Sequence, residues 1–309
     1  MRFSQPITLG QLAELISAQF IGDPNHKVTG LNEIHRVETG DLVFVDHPKY
    51  YDKALVSAAT TVLINKDVEC PAGKGLLITA DPFRDYNFIA RHFLPPNFNS
   101  GMRGSETAIA ASAQIHATAV IGDRVVIGER TVIKAGVVIG DDVVIGNDCI
   151  IHPNAVIGGD AFYYKRRPEG YDKMYTCGGV EIGDKVEIGA LTSIDRGVSA
   201  ITRIGSGSKL DNQVHVGHDT LIGQNCLFAA QVGIAGCVQI EDNVILWGQV
   251  GVPSDLTIGA GAVVLGQSGL TKDLEGGKTY FGSPAEEARH KFRELALIRK
   301  LPELVAKLG

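Results

Sequence analysis

Only five cysteines occur in the 309 residues, at 70, 149, 177, 226 and 237, and no two stand in a CxxC or other zinc-binding spacing. That excludes a disulfide framework and a finger-type metal site, leaving reduced thiols in packing or surface roles as the expectation. Positive charge is also short. The formal net charge of -6 argues against a general nucleic-acid binder, which needs a basic surface to displace counterions from phosphates. Any acidic partner must therefore be met by a local basic patch. Long apolar runs are missing as well: no stretch reaches the ~18 residues of a membrane span, and "MRFSQPITLGQLAELISAQF" has no signal-peptide pattern, so a cytoplasmic protein is expected.

A period takes the place of these features. From Ile115 an aliphatic residue recurs every sixth position through Ile157; the phase restarts at Ile182, and again at Ile204, running to Val264. A hexapeptide period is the signature of a parallel β-helix, in which each unit gives one short strand and a turn and the recurring side chain points into a continuous core. Glycine is expected to supply permissive backbone at the turns. The 22 units, at three per coil, make about seven coils, so residues 18 apart should stack.

Two interruptions break the rhythm, "GGDAFYYKRRPEGYDKMYTCGG" before Ile182 and "DRGVSAIT" after Ile194. Loops leaving a rigid scaffold are where binding concentrates. The first 100 residues lack the repeat and read as a small α/β domain, with a helix capped by Thr8 over "TLGQLAELISAQF", strands "DLVFV" and "TTVLI", and a helix "DPFRDYNFIARHFL". The stretch 94–106 reads as a linker, 101–280 as the β-helix, and 281–309 as a helical tail that Pro302 should kink or break.

Two histidines in "DNQVHVGHDTLIG" carry the chemical interest. A metal site is not expected. His116 and His152 are two coils apart, a spacing that resembles a histidine pair of the zinc-binding gamma-class carbonic anhydrases, but Ile157 stands five residues beyond, where that class has a further ligand, and two histidines three residues apart on a strand and turn do not converge. His218 lies two residues past the inward Val216, at an exposed or corner position, and the 18-residue rule sets Gly236 beside it. A glycine there leaves room for a ligand and a backbone N–H for an oxyanion, an arrangement suited to acyl transfer. A solvated surface histidine is the alternative. His215 should face outward, and Asp219 either orients His218 or caps a turn.

The series "GGDAFYY", "EIGALTSIDRG", "DNQVHVGHDTLIG", "AAQVGIAG" and "GSPA" resembles the UDP-3-O-(3-hydroxyacyl)glucosamine N-acyltransferases of bacterial lipid A synthesis over nearly the whole chain. The resemblance implies a mainly β fold, a left-handed β-helix with a small N-terminal α/β uridine-binding domain and a helical tail, acting as a homotrimer without cofactor. It implies that a 3-hydroxyacyl group passes from acyl carrier protein to the 2-amine of a UDP-3-O-acylglucosamine. His218 would be the general base, Gly236 the oxyanion donor and Asp211 a support for the base. Phe44, His47 and Tyr50 in "FVDHPKY" would hold the uracil, with His47 standing where the family usually has asparagine. His215, Asp160 and Phe162 are further candidate substrate contacts. Asp255 replaces a histidine often found there, and "HVGHD" is closer to the related UDP-N-acetylglucosamine O-acyltransferases. Acyl transfer to another UDP-sugar, an acetyl-CoA donor, and a non-catalytic paralogue thus remain alternatives. The tail residues Arg289, Lys291, Arg293, Arg299 and Lys300 are the candidate landing site for the acidic carrier protein. A peripheral place at the inner membrane would suit a lipid product.

Overall fold

The computed structural model describes residues 1–96 and 103–307. Residues 97–102, the middle of the expected linker, lie outside the described residues, as do 308 and 309. The chain divides into two compact units. The first comprises Met1–Asn99, Phe162–Gly178 and Gly197–Ala200, and the second Ser100–Ala161, Gly179–Arg196 and Ile201–Gly309. Both interruptions of the repeat thus belong in large part to the first unit, which the contiguous division of the sequence at residue 100 does not anticipate.

The first unit is a six-stranded sheet with helices. Its elements are β1 (Arg2–Thr8), α1 (Leu9–Leu15), β2 (Gln19–Ile21), β3 (Lys27–Leu31), β4 (Asp41–Val45), α2 (Tyr51–Val56), β5 (Thr61–Ile64), β6 (Gly75–Ile78) and α3 (Pro82–Phe93). The spatial order is β1-β3-β4-β5-β6-β2. The run β3 to β6 is parallel, and β1 and β2 close the edges antiparallel. Central parallel strands are covered on both faces, so "VLI" of β5 is buried throughout. Thr8 caps α1 through a reciprocal box: its hydroxyl accepts from Gln11 N–H, and the Gln11 side chain accepts from Thr8 N–H. The helix is shorter than its sequence suggests, because Ser17 turns left-handed (φ 53°) and the chain re-enters the sheet as β2.

The long interruption contributes a two-stranded hairpin, Tyr164–Arg167 paired with Gly170–Lys173. Charge pins it within its unit. Arg84 of α3 binds Asp172 at 2.9 Å, Arg167 binds Asp81 at 2.8 Å, and Asn87 donates to Lys173 O. Burial pushes the Asp81 carboxyl up, but hydrogen bonds from Arg167 and from the Arg84 backbone N–H outweigh it and hold the group below the usual carboxylate range. The hydrogen bond from Arg84 does the same for Asp172.

The second unit is the left-handed β-helix. Mostly two-residue strands form three parallel sheets, with Val126↔Val144, Val132↔Ile150 and Val138↔Val156 as examples of register on each. The inward residues Ile127, Ile133, Ile139, Ile145, Ile151 and Ile157 are no more than 1% exposed, each burial contributing roughly 1.5–3 kcal/mol. Stacking at 18 becomes 37 across the long interruption (Ile157↔Ile194) and 22 across the short one (Ser193↔His215).

Glycine serves in two ways. Gly136, Gly207 and Gly261 supply the expected permissive backbone at left-handed corners, although most such corners are held by Arg124, Arg130, Asp142, Asp148, Asn225 and other non-glycine residues; the glycines that follow the inward aliphatic residue, such as Gly122 and Gly128, do not take positive φ. Instead, a Cβ on Gly128 would sit 2.6 Å from the Gly146 carbonyl carbon. These glycines let one coil's backbone rest on the next. The tail forms α4 (Ala288–Ala306), which runs through Pro302 without ending; one backbone N–H is lost there, and the helix continues.

Candidate active site

His218 stands at the corner between the sheet that carries Val216 and the sheet that carries Ile222. Its side chain is 15% exposed. Nδ1 lies 2.9 Å from Oδ2 of Asp219, whose side chain is 1% exposed and whose own N–H donates to Thr202 Oγ1 at 2.8 Å. The carboxylate fixes the ring and favours a proton on Nδ1, which leaves the Nε2 lone pair as the acceptor.

The other edge of the ring meets Gly236. A Cβ built on Gly236 would fall 2.5 Å from His218 Nε2, so only glycine leaves the ring its place. The next coil is locked in register, Cys237 N–H donating to His218 O at 2.8 Å and Asp255 N–H to Gly236 O at 3.3 Å. The N–H of Gly236 itself donates to no acceptor among the described residues. An imidazole nitrogen and an unengaged backbone donor thus share one corner.

His215 faces outward on the third sheet and is half-exposed. Its Nδ1 is 2.9 Å from Ser193 Oγ, and its Nε2 is 3.9 Å from the buried Asp195 carboxylate. Above it the same outward position is held by Gly233 and Gly251, and a Cβ on either would meet open space. Ser193 and Asp195 were not singled out from the sequence. Their signal was the 22-residue offset left by "DRGVSAIT", which sets "SID" under His215.

Asp211 is placed elsewhere. It follows Leu210 at the preceding corner of the same coil, is exposed, and its carboxylate accepts from Asn212 N–H; Asp219 is the carboxylate at His218. Asp255 is exposed at the coil above Cys237. In the first unit, Phe44 is half-buried at the end of β4, 4.8 Å from the Tyr86 ring and 5.9 Å from Phe83. Tyr50 is 44% exposed, with the Lys49 ammonium 5.3 Å over its ring and the His47 ring 6.0 Å away. His47 caps the turn Pro48–Tyr50, Nδ1 accepting from Lys49 N–H at 3.2 Å. Asp160 is an exposed residue of the second unit. Phe162, 83% exposed, belongs to the first, 5.0 Å from the ring of Tyr164.

Residues 25–92 match the family described as UDP-3-O-(3-hydroxymyristoyl) glucosamine N-acyltransferase, LpxD, and residues 124–159 and 201–236 match the bacterial transferase hexapeptide. The UDP-3-O-acylglucosamine N-acyltransferase of Syntrophotalea carbinolica is 44% identical over 96% of this chain and 93% of its own. The chain belongs to the UDP-3-O-acylglucosamine N-acyltransferase family. The Oleidesulfovibrio alaskensis member is 45% identical, covering 92% of this chain and 90% of its own. Among solved structures, the UDP-N-acetylglucosamine O-acyltransferase of Moraxella catarrhalis aligns with a TM-score of 0.55 at 30% identity, over 62% of this chain and 76% of that one. This N-acyltransferase family member is an acyltransferase of the hexapeptide β-helix type. No helix among its described residues is long and apolar enough to cross a membrane.

Proposed function

We propose that this acyltransferase moves a 3-hydroxyacyl group from acyl carrier protein to the 2-amine of a UDP-3-O-acylglucosamine, with His218 as general base. The observation that carries the reading is Nε2 of His218 lying against Gly236, whose N–H is unengaged. The amine nitrogen attacks the thioester carbon as Nε2 takes an amine proton, and the carbonyl oxygen becomes an oxyanion held by Gly236 N–H. Collapse breaks the C–S bond, and the proton on Nε2 passes to the departing thiolate. Asp219 stabilises the imidazolium, the role that the resemblance had given to Asp211.

Phe44 and Tyr50 would stack on the uracil. With Nδ1 accepting from Lys49, His47 offers Nε2–H alone, a donor for a uracil carbonyl where asparagine would offer both donor and acceptor. His215 would contact the sugar or its phosphates, and Asp160 and Phe162 the remainder of the substrate. The tail helix places Arg289, Arg293, Arg299 and Lys300 in exposed positions and half-buries Lys291, which suits an acidic carrier protein. A homotrimer in the cytoplasm, peripheral to the inner membrane, completes the proposal.

The test is a steady-state assay of the purified protein. UDP-3-O-acylglucosamine is compared with UDP-N-acetylglucosamine as acceptor, and 3-hydroxyacyl carrier protein with acetyl-CoA as donor. Preference for the first of each pair, with a loss of about 10²-fold or more in His218→Ala, is the expected result; preference for acetyl-CoA or for hydroxyl acylation overturns it.

A further inference from the structure

The corner that holds His218 also holds a third ligand type. One ligand atom each from His218, Asp219 and Cys237 lies within 4.8 Å of the other two. The 18-residue rule that sets Gly236 beside His218 also stacks Cys237 on Asp219; the structure adds that the ligand atoms of all three side chains converge. This set is not the pair His215 and His218, which the fold separates onto a sheet and a corner.

Cys237 differs from the thiols inside the helix. Cys149 donates to Gly183 O at 3.1 Å and Cys226 to Glu241 O at 3.2 Å, and burial pushes both thiols up, so they stay protonated within the coil stack. Cys237 is half-buried at the corner, beside an imidazole and a carboxylate.

We infer that His218, Asp219 and Cys237 form a binding site for a thiophilic divalent cation, zinc by its ligand chemistry, and that occupancy switches the base off. One nitrogen, one oxygen and one sulfur suit Zn²⁺, with a fourth position left for water. Bonds of about 2.0 Å to nitrogen and oxygen and about 2.3 Å to sulfur imply ligand separations of roughly 3.3–3.5 Å. The cluster reaches them by opening the 2.9 Å contact between His218 and Asp219 slightly and drawing in the farthest pair, which lies within 4.8 Å, by no more than about 1.5 Å.

The protons account for the inhibition, a consequence that rests on His218 being the base. In the resting site Nδ1 carries the proton directed at Asp219, and Nε2 carries the lone pair. Zinc takes the Nδ1 lone pair, so the ring proton moves to Nε2, the nitrogen that must accept a proton from the amine. The thiol proton goes to solvent. The balance is one zinc bound, one proton released and no free lone pair on His218. Binding should therefore tighten as pH rises.

Cobalt(II) is the probe, since thiolate ligation gives a near-ultraviolet charge-transfer band that can be read without any turnover. The full-length protein should titrate to one cobalt per chain with that band, zinc should displace it, and Cys237→Ser should lose the band and weaken binding by at least about 10-fold. In the acyl-transfer assay zinc should inhibit the native protein and not Cys237→Ser at the same concentration. Absence of the band, or an unchanged band in Cys237→Ser, overturns the site; cobalt binding without inhibition by zinc overturns the switch. The spectrum stands whether or not the acyl-transfer reading does, so the two can fail separately. Circular dichroism of the variant distinguishes loss of a ligand from loss of fold.

Discussion

The Asp219 carboxylate lies 2.9 Å from Nδ1 of His218, its immediate neighbour in the chain. Adjacent residues of a strand point to opposite faces. Here the left-handed backbone at Asp219 (φ 57°) turns the corner and lets both side chains share one side. Asp211, which has the same charge, sits one corner earlier.

This separation gives the first prediction. Asp219→Asn should lower kcat by between about 10²- and 10⁴-fold, because the ring loses the partner that holds its tautomer. Asp211→Asn should leave kcat near native. Steady-state kinetics of the two variants decide the matter, and equal losses would contradict the assignment.

Gly236→Ala tests the other edge of the ring. Gly236 has no positive φ, so alanine fits the backbone, but its Cβ would stand 2.5 Å from His218 Nε2. The ring must tilt away, and the donor at 236 is shielded. A fall in kcat of about 10²-fold, with the circular dichroism spectrum retained, is expected; near-native turnover would remove Gly236 from the chemistry.

Uridine recognition can be read by calorimetry with UDP alone. Base stacking on an aromatic ring is worth roughly 1–3 kcal/mol, so Phe44→Ala and Tyr50→Ala should each weaken UDP binding by about 5- to 150-fold. Their melting temperatures should part. Phe44 packs on Tyr86 and Phe83, and its loss should lower Tm, whereas the exposed Tyr50 should cost little. Unchanged UDP affinity in both variants would place the base elsewhere.

The hairpin of the first unit should be acid-sensitive. Asp81 and Asp172 are held below their ordinary values by Arg167 and Arg84. For a carboxyl with a lowered folded pKa, the stabilisation is present above the unfolded value of about 3.9 and is lost as pH falls through the folded value. The protection of residues 164–173 against hydrogen exchange, relative to the intrinsic rate at each pH, should therefore fall below about pH 4. Arg84→Ala should bring faster exchange at neutral pH and flatten that dependence; an unchanged profile would show that these pairs do not hold the hairpin.

Much of the fold was legible because burial writes itself into the sequence. Ile121 to Ile157 had to be aliphatic at every sixth position to fill one continuous core, and the same period set Gly236 over His218. The α/β character of the first 100 residues was readable from "DLVFV", "TTVLI" and the α3 segment for the same reason. Less legible was the end of α1, where the left-handed turn at Ser17 carries no strong residue signal. The return of 162–178 to the first unit is accompanied by ion pairs such as Arg84 with Asp172, some 90 residues apart, and that of 197–200 by the hydrogen bond that Glu33 N–H donates to Ser199 Oγ.

By itself the sequence determined the β-helix, its coil register and the histidine that a glycine would face, since a repeating apolar position and a fixed stacking distance leave few alternatives. Only the tertiary structure decided which polar groups meet that histidine. The period stacks Cys237 on Asp219 and leaves Asp219 either orienting His218 or capping a turn; that Asp219 rather than Asp211 meets the ring follows from the left-handed corner backbone at Asp219, which a one-dimensional period does not encode. The same stacking assigned the repeat glycines to close backbone approach, since the space above each of them belongs to a coil 18 or more residues away.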